Sequence, residues 1–337
     1  MKIVIDAFGG DKAPFEIIEG AVLATQKHKS LEIILTGDEN IINSYFSEHN
    51  LSKDRISIIN APNVIANDEV PTLAIKKEGT SLGEAFNVLK IDDSVSALIS
   101  CGNTGAILAG GFLNIGRIKG VSRPALSPFL PTRKRTRVLL LDCGANAECK
   151  PINLCHFAVM GSVYFSEITG VEKPRVALLS NGTEEHKGNE LTKKAFEMIK
   201  TLPINFIGNV EARDIVSGDV DVVVADGFTG NIALKSIEGA VKLAMSEVKS
   251  AIKSSLIAKF GYLFMTRAFK QVKQTMDYKK YGGSPFLGTK KLIIKSHGDT
   301  DRYTLLSAVE QAMECASNNV NEKIERVLAT LNIREEV

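Results

Sequence analysis

The sequence predicts an α/β protein, a Rossmann-like three-layer αβα arrangement with a mainly parallel sheet, and three observations predict it. Short apolar runs stop abruptly at polar clusters, the segments between them have helical spacing, and the two kinds alternate along the chain. The runs are IVIDAFGGD (3–11), ALISCGNTGA (97–106), VLLLDCGAN (138–146), VALLSNGTE (176–184), INFIGNVE (204–211), VVVADGFTGN (222–231) and LIIKSHGDT (292–300). Their apolar parts are continuous rather than alternating, as in strands covered on both faces.

After the first run, Pro14 stands at a first helical position, and Ile17, Ile18, Ala21, Val22 and Ala24 share one side of a helix over 14–28. Helical spacing recurs at about 80–90, 103–118, 151–168, 188–200, 228–247 and 303–330. In such a fold ligands bind beyond the carboxyl ends of the strands, where the polar clusters fall. One αβα body over 1–247 and 282–337, with a helical hairpin over 248–281 projecting from it, accounts for the pattern. A two-lobed body with a cleft would produce the same pattern.

Composition bounds the function. The 337 residues are 44% apolar and 24% charged, which suits a globular chain and excludes disorder, collagen and a disulfide scaffold. A net charge of +2 gives no general reason to expect nucleic acid. The five cysteines form no C-x-x-C pair, so the chain reads as reduced and cytoplasmic. Only Ile3, Val4 and Ile5 precede Asp6, too short a run for a secretory segment, and no run approaches the roughly 18–20 apolar residues that span a bilayer.

Three clusters pass almost directly into helices: Asn103-Thr104-Gly105, Lys187-Gly188-Asn189 and Thr229-Gly230-Asn231. Unpaired N–H groups at such starts suit an anion, although Gly and Asn also make ordinary βα turns. No G-x-G-x-x-G, H-E-x-x-H, G-x-x-x-x-G-K-[ST] or G-x-S-x-G is present, so dinucleotide, zinc-protease, P-loop and α/β-hydrolase readings lose support. Cys143, Cys149 and Cys155 are six apart with no paired histidine, which favours buried thiols over a metal site. What remains is Asn103, Asn146, Lys187, Asn189, Asn209, Glu211, Asp226, Asn231, Lys235 and His297. Such a set can hold phosphate and polarise a carbonyl without supplying a nucleophile. Phosphate is partly dianionic at neutral pH and can itself attack an acyl carbon.

DAFGGDKAP (6–14), SCGNTGA (100–106), RPA (123–125), LDCGAN (141–146), FAVMGSVY (157–164), LLSNGTEEHKGNE (178–190), FIGNVEARD (206–214), ADGFTGN (225–231) and SHG (296–298) resemble, in order over nearly the whole chain, PlsX, the bacterial phosphate acyltransferase family. The resemblance implies reversible transfer of a long-chain acyl group from acyl carrier protein to inorganic phosphate, giving acyl phosphate for a membrane glycerol-phosphate acyltransferase. It implies a fold related to phosphate acetyltransferase and isocitrate dehydrogenase, a homodimer, peripheral membrane association, and no metal or nucleotide cofactor. It places Lys187, Asn231 and His297 in the catalytic site. Asp6, Gly9, Gly10, Asp11, Asn103, Thr104, Gly105, Asn146, Gly188, Asn189, Asn209, Glu211, Asp226, Gly227, Thr229 and Gly230 are the expected phosphate and substrate positions. Phe8, in place of the usual Met, and the segment Gly282–Gly288 depart from the family pattern.

The segment 249–280 holds eight cations (Lys249, Lys253, Lys259, Arg267, Lys270, Lys273, Lys279, Lys280) against Asp277, a local charge of +7. Leu256, Ile257, Phe260, Tyr262, Leu263, Phe264, Met265 and Phe269 lie between them at helical spacing, broken at Gly261. A hairpin on an anionic membrane suits this combination; a core face, a dimer contact or an acyl groove also accounts for it, with Leu256, Phe260, Leu263 and Phe264 the expected membrane or acyl-chain positions. A second basic run, Arg133, Lys134, Arg135 and Arg137, is either a solvated loop or a docking patch for the acidic carrier protein. Two other functions compete: an isocitrate-type dehydrogenase, on fold analogy alone, and a non-catalytic membrane-bound scaffold for lipid-synthesis proteins.

Overall fold

The computed structural model describes residues 1–66, 68–276, 281–331 and 333. Its strands are β1 (Lys2–Asp6), β2 (Glu32–Gly37), β3 (Ile56–Asn60), β4 (Val95–Ser100), β5 (Ala125–Leu126), β6 (Phe129–Pro131), β7 (Arg137–Leu141), β8 (Val176–Ser180), β9 (Phe206–Glu211), β10 (Val222–Val224), β11 (Gly283–Leu287) and β12 (Leu292–Ser296). Its α-helices are α1 (Phe15–Lys27), α2 (Glu39–Glu48), α3 (Pro71–Ala74), α4 (Ser81–Ile91), α5 (Thr104–Gly110), α6 (Pro151–Thr169), α7 (Glu190–Lys200), α8 (Gly227–Ser254), α9 (Leu256–Met276), α10 (Arg302–Ser317) and α11 (Val320–Thr330).

All seven apolar runs form strands, but these divide between two sheets. The first sheet has the order β3-β2-β1-β4-β12-β11-β5 and the second β6-β7-β10-β8-β9. Pairing is parallel except for β11 with its neighbours and β6 with β7. The central strands explain the continuous apolar runs: Ile3, Val4 and Ile5 of β1 and Val222, Val223 and Val224 of β10 are fully buried. Five strands lie outside the seven runs. β2 has the same form, with Ile33-Ile34-Leu35 closing on Gly37-Asp38; β3, β5 and β6 are sheet edges, and β11 carries Gly283 and Pro285, which weaken a strand signal.

The helical segments hold with shifted ends. Pro14 is the residue before α1, not its first member. The segment 103–118 breaks into α5 and a π-turn over Gly111–Ile115, stopped by Gly116 at φ +85°. The segment 303–330 breaks where Asn319 turns left-handed, giving α10 and α11.

The hairpin differs in a way that matters for the site. Its first arm is the distal part of α8, one helix of 28 residues that begins at Gly227 in the polar cluster after β10. The break lies at extended Ser255 rather than at Gly261, which is inside α9 with open space where a side chain would stand. A helix can carry a solvated glycine at modest cost, so Gly261 marks no turn. Asp277, Lys279, Lys280 and the side chain of Lys273 lie outside the described residues. Among those described, no helix is long and apolar enough to cross a membrane.

Candidate active site

The chain passes from the first sheet to the second between β5 and β6, and this crossing forms the floor of a cavity. Ser127 N–H donates to Pro285 O (3.1 Å) in β11, and Pro128 O accepts from Leu140 N–H (3.1 Å) in β7, so the crossing is pinned to both sheets. The cavity has a volume of about 360 Å³. Leu126, Pro128, Phe129, Leu130, Leu234 and Tyr281 make an apolar side; Thr104, Asn231, Lys235, Glu238, Ser284, Lys295 and His297 make a polar one.

Two elements supply most of the polar side. Asn231, Lys235 and Glu238 of α8 are four and three residues apart and share a face. Lys235 Nζ lies 2.9 Å from Glu238 Oε2, and Glu238 is only 7% exposed. Lys295 and His297 are two residues apart at the end of β12, and both line the cavity. Burial pushes Lys295 below the ordinary lysine value; Cys101, Asp11 and Asp299 oppose the shift and Lys235 adds to it. Lys295 Nζ donates to Ser296 O (2.6 Å). Burial also lowers the pKa of His297, against the charge of Asp299, whose Oδ1 lies 2.6 Å from His297 Nδ1. The imidazole is therefore mainly neutral at pH 7.

The turns after β1, β4 and β12 lock together beside this wall. Buried Asp6 accepts from Ser100 Oγ (2.7 Å) and Phe8 N–H (3.3 Å), and burial raises its pKa. Asp11 N–H donates to Gly298 O (2.7 Å). Gly10, at φ +101°, approaches so closely that a Cβ would stand 2.8 Å from Cys101 Cβ and 2.9 Å from Gly298 O. Asn103 caps α5, accepting from Ala106 N–H (3.0 Å). Of the first-sheet positions singled out in the sequence, Thr104 lines the cavity; Asp6, Gly9, Gly10, Asp11 and Asn103 build the turns beside it, and Gly105 lies within α5 against Pro71.

Asp142, quoted in LDCGAN but not assigned a role, organises the second sheet's contribution. Its carboxylate accepts from the N–H groups of Leu126 (2.9 Å), Ala145 (3.1 Å) and Asn146 (2.7 Å) and from Asn146 Nδ2 (2.8 Å). Burial nevertheless raises its pKa to about 6. Asn146 Nδ2 also reaches Pro124 O (2.7 Å), so this buried amide ties a turn together. The start of α8 sits directly on that turn, because a Cβ at Gly230 would overlap the Asp142 carbonyl oxygen. Asp226 caps the helix, accepting from Thr229 N–H (2.9 Å) and Oγ1 (2.7 Å).

The remaining positions fall on the other side of α8. A groove of about 740 Å³ is lined by Ser180, Gly188, Asn189, Thr192, Asp226, Thr229 and Ile232 among others. Asn189 caps α7 through Thr192 N–H (2.9 Å), Asn209 Nδ2 donates to Glu184 O (2.9 Å), and Glu211 pairs with Arg213 (2.5 Å). Half-buried Lys187 lines neither this groove nor the cavity between the sheets. The structure thus brings Asn231 and His297 to one cavity and leaves Lys187 outside it. The residues missed are Lys295, Glu238 and Asp142.

Cys143 lines the cavity, but burial raises its thiol pKa well above the ordinary value and keeps it protonated. The described residues contain no group of three or more His, Cys, Asp or Glu able to hold a metal. Leu256, Phe260, Leu263 and Phe264 are exposed on α9, the last two at 67% and 79%. In the basic run, Lys134 pairs with Asp219 and Arg137 lies over the Phe129 ring (4.8 Å), leaving Arg133 and Arg135 on the surface.

Two mainly parallel sheets that meet at a cleft, with the turns after β4, β7 and β12 and the start of α8 opening onto it, make the phosphotransacetylase class of fold. A phosphotransacetylase from Streptococcus pyogenes superposes with a TM-score of 0.61 at 17% identity, covering 96% of this chain and 94% of that one. A branched-chain phosphotransacylase from Enterococcus faecalis V583 gives 0.57 at 15%, covering 93% and 99%. Within the class the sequence is more specific. Residues 1–323 match the family model described as fatty acid synthesis protein, and a phosphate acyltransferase of Clostridium novyi (strain NT) is 44% identical over 325 residues, 96% of this chain and 97% of the relative. The chain belongs to the phosphate acyltransferase family.

Proposed function

We propose that this enzyme transfers a long-chain fatty acyl group from acyl carrier protein to inorganic phosphate in the cleft between the sheets, reversibly, releasing acyl phosphate and the carrier thiol. The two-sided cavity carries the reading: Lys235, Lys295, Asn231 and His297 suit an anion and a polarised carbonyl, and Leu126, Phe129, Leu130 and Leu234 suit an acyl group.

Phosphate lies against Lys235 and Lys295, with Glu238 keeping Lys235 in place. A phosphate oxygen attacks the thioester carbon, and its proton passes to the neutral imidazole of His297, which its contact with Asp299 holds in place. The Asn231 amide donates to the carbonyl oxygen as negative charge develops there. Collapse breaks the C–S bond, and the proton taken up by His297 goes to the departing thiolate. Cysteine-like thiols have a pKa of about 8.5, so this departure needs only weak acid help.

The same reading includes a cytoplasmic homodimer resting peripherally on an anionic membrane, where a glycerol-phosphate acyltransferase takes up the acyl phosphate. The exposed Leu263 and Phe264 among basic residues on α9 support the membrane part. Flotation with anionic vesicles is expected to be lost on joint Leu263→Glu and Phe264→Glu; unchanged flotation removes it. Arg133 and Arg135 are the exposed cations for carrier docking.

The deciding experiment incubates the protein with palmitoyl-carrier protein and labelled inorganic phosphate. Palmitoyl phosphate and free carrier thiol are expected to appear together, and faster than from palmitoyl-coenzyme A. A folded, carrier-binding preparation that yields neither product overturns the proposal.

A further inference from the structure

We propose that the groove beneath the α8–α9 hairpin is the binding site for the distal part of a long acyl chain whose thioester lies in the cleft. This rests on the acyl-transfer reading above. The groove, of about 510 Å³, has an aliphatic wall of Leu130, Val216, Ile237 and Val241, with Ala268 and Val272 contributed by α9, and Arg133 and Arg135 also line it. Leu130 and Glu238 line both groove and cleft, so the width of two side chains separates them. Leu130 is buried and apolar, and the Glu238 carboxylate is paired with Lys235 at the cleft. Polarity therefore changes where a chain passes from carbonyl to alkyl.

The cleft, at about 360 Å³, must first hold phosphate and the thioester, so a long chain needs a second compartment. Among the described residues, the groove borders the cleft, and so does another cavity. The other lies behind Phe129 and Tyr281, about 430 Å³, and is lined by Arg137, Glu310, Gln311 and Glu314. Methylenes placed among those groups would desolvate charges and gain little. The groove under the hairpin also carries Arg133, Arg135 and Gln271, but it adds the aliphatic surface of Leu130, Val216, Ile237, Val241, Ala268 and Val272, which the other cavity lacks, and against that surface each buried methylene favours binding about fourfold.

This assigns different parts of α9 to different tasks. Leu256, Phe260, Leu263 and Phe264 line neither the cleft nor the groove, whereas Ala268 and Val272, one turn apart further along the helix, face the groove. Chain length is read by the distal part of α9, not by its exposed tip.

The test compares hexadecanoyl and butanoyl donors on the same carrier. Val272 is 43% exposed, so Val272→Trp narrows the groove without entering the core. The ratio of kcat/KM for the long over the short donor is expected to fall at least tenfold, and Ala268→Trp is expected to act in the same direction. An unchanged ratio in both variants overturns the proposal. If the wild type makes acyl phosphate from neither donor, the transfer reading fails instead, and the groove is judged by binding of a fluorescent fatty acid. Weaker binding to Val272→Trp supports the groove; equal binding by wild type and variant overturns it.

Discussion

The two sides of α8 face cavities of opposite character. Toward the cleft it presents Asn231, Lys235 and Glu238, facing Lys295 and His297; toward the 740 Å³ groove it presents Thr229, Ile232, Ser236 and Ala240, and among the described residues the only charged group lining that groove is Asp226. A phosphate in the cleft meets two lysines. In the groove it would meet a carboxylate and no cation. The difference teaches that ADGFTGN, contiguous in sequence, is not one site: with 3.6 residues per turn, Thr229 and Asn231 are about 200° apart around the helix. Chemistry follows the helix face, not the motif.

The most direct way to break that contrast is to remove the cation opposite the charged face. Lys295→Met is expected to lower kcat/KM by about 10² to 10³, the range for losing a preorganised electrostatic group, with little change in thermal stability. Measuring both quantities checks it; near-wild-type turnover would move phosphate binding away from this wall.

A smaller effect is expected at His297. As a base it is active when neutral, and its lowered pKa extends the neutral form below the ordinary histidine value of about 6.5. The acid limb of kcat/KM should therefore fall at a pH below about 6.5. His297→Asn should lose about 10- to 100-fold at neutral pH and lose that limb as well. A limb that persists in the variant belongs to another group.

The same contrast explains what could be read before the structure. Six of the seven strands were legible because they are largely buried, so their apolar runs are continuous; β9, at a sheet edge with Ile207 49% exposed, is the exception. Two sheets were not, because the crossing at Ser127 and Pro128 looks like any turn until Pro285 and Leu140 are known to pin it. Asn231, His297 and Lys235 were legible as polar groups beside a helix start or a strand end. Lys295 was not, because a lysine ending a strand ordinarily reads as solvated; only its burial in the fold, helped by Lys235 of α8, depresses its pKa. Glu238 looks like one more charge on an amphipathic helix until Lys235 and the cleft enclose it. Asp142 collects N–H groups from positions 126, 145 and 146, a convergence that exists only once β5 lies against the turn after β7.

Lys187 sharpens the comparison most finely. Sequence resemblance puts it in the catalytic site, yet in one copy of the chain it lies beyond the far side of α8, where its N–H donates to Glu184 O (3.0 Å) in the turn after β8. If charge in the cleft is complete with Lys235 and Lys295, Lys187→Ala should cost less than tenfold in kcat/KM. It should also leave the phosphate concentration dependence nearly unchanged, since a half-buried cation outside the cleft acts on a reacting group mainly through screened, long-range attraction. Titration at low and high salt checks this: a modest loss that vanishes at high salt is the signature of steering. A loss as large as that of Lys295→Met, persisting at high salt, would mean that Lys187 touches the reacting phosphate. One chain does not bring the two lysines to a common cavity, so that result would require a second copy to lend Lys187 across an interface. Mixing Lys187→Ala with Lys295→Met protomers would then restore activity in the hybrid, an outcome that independent sites within each chain do not allow.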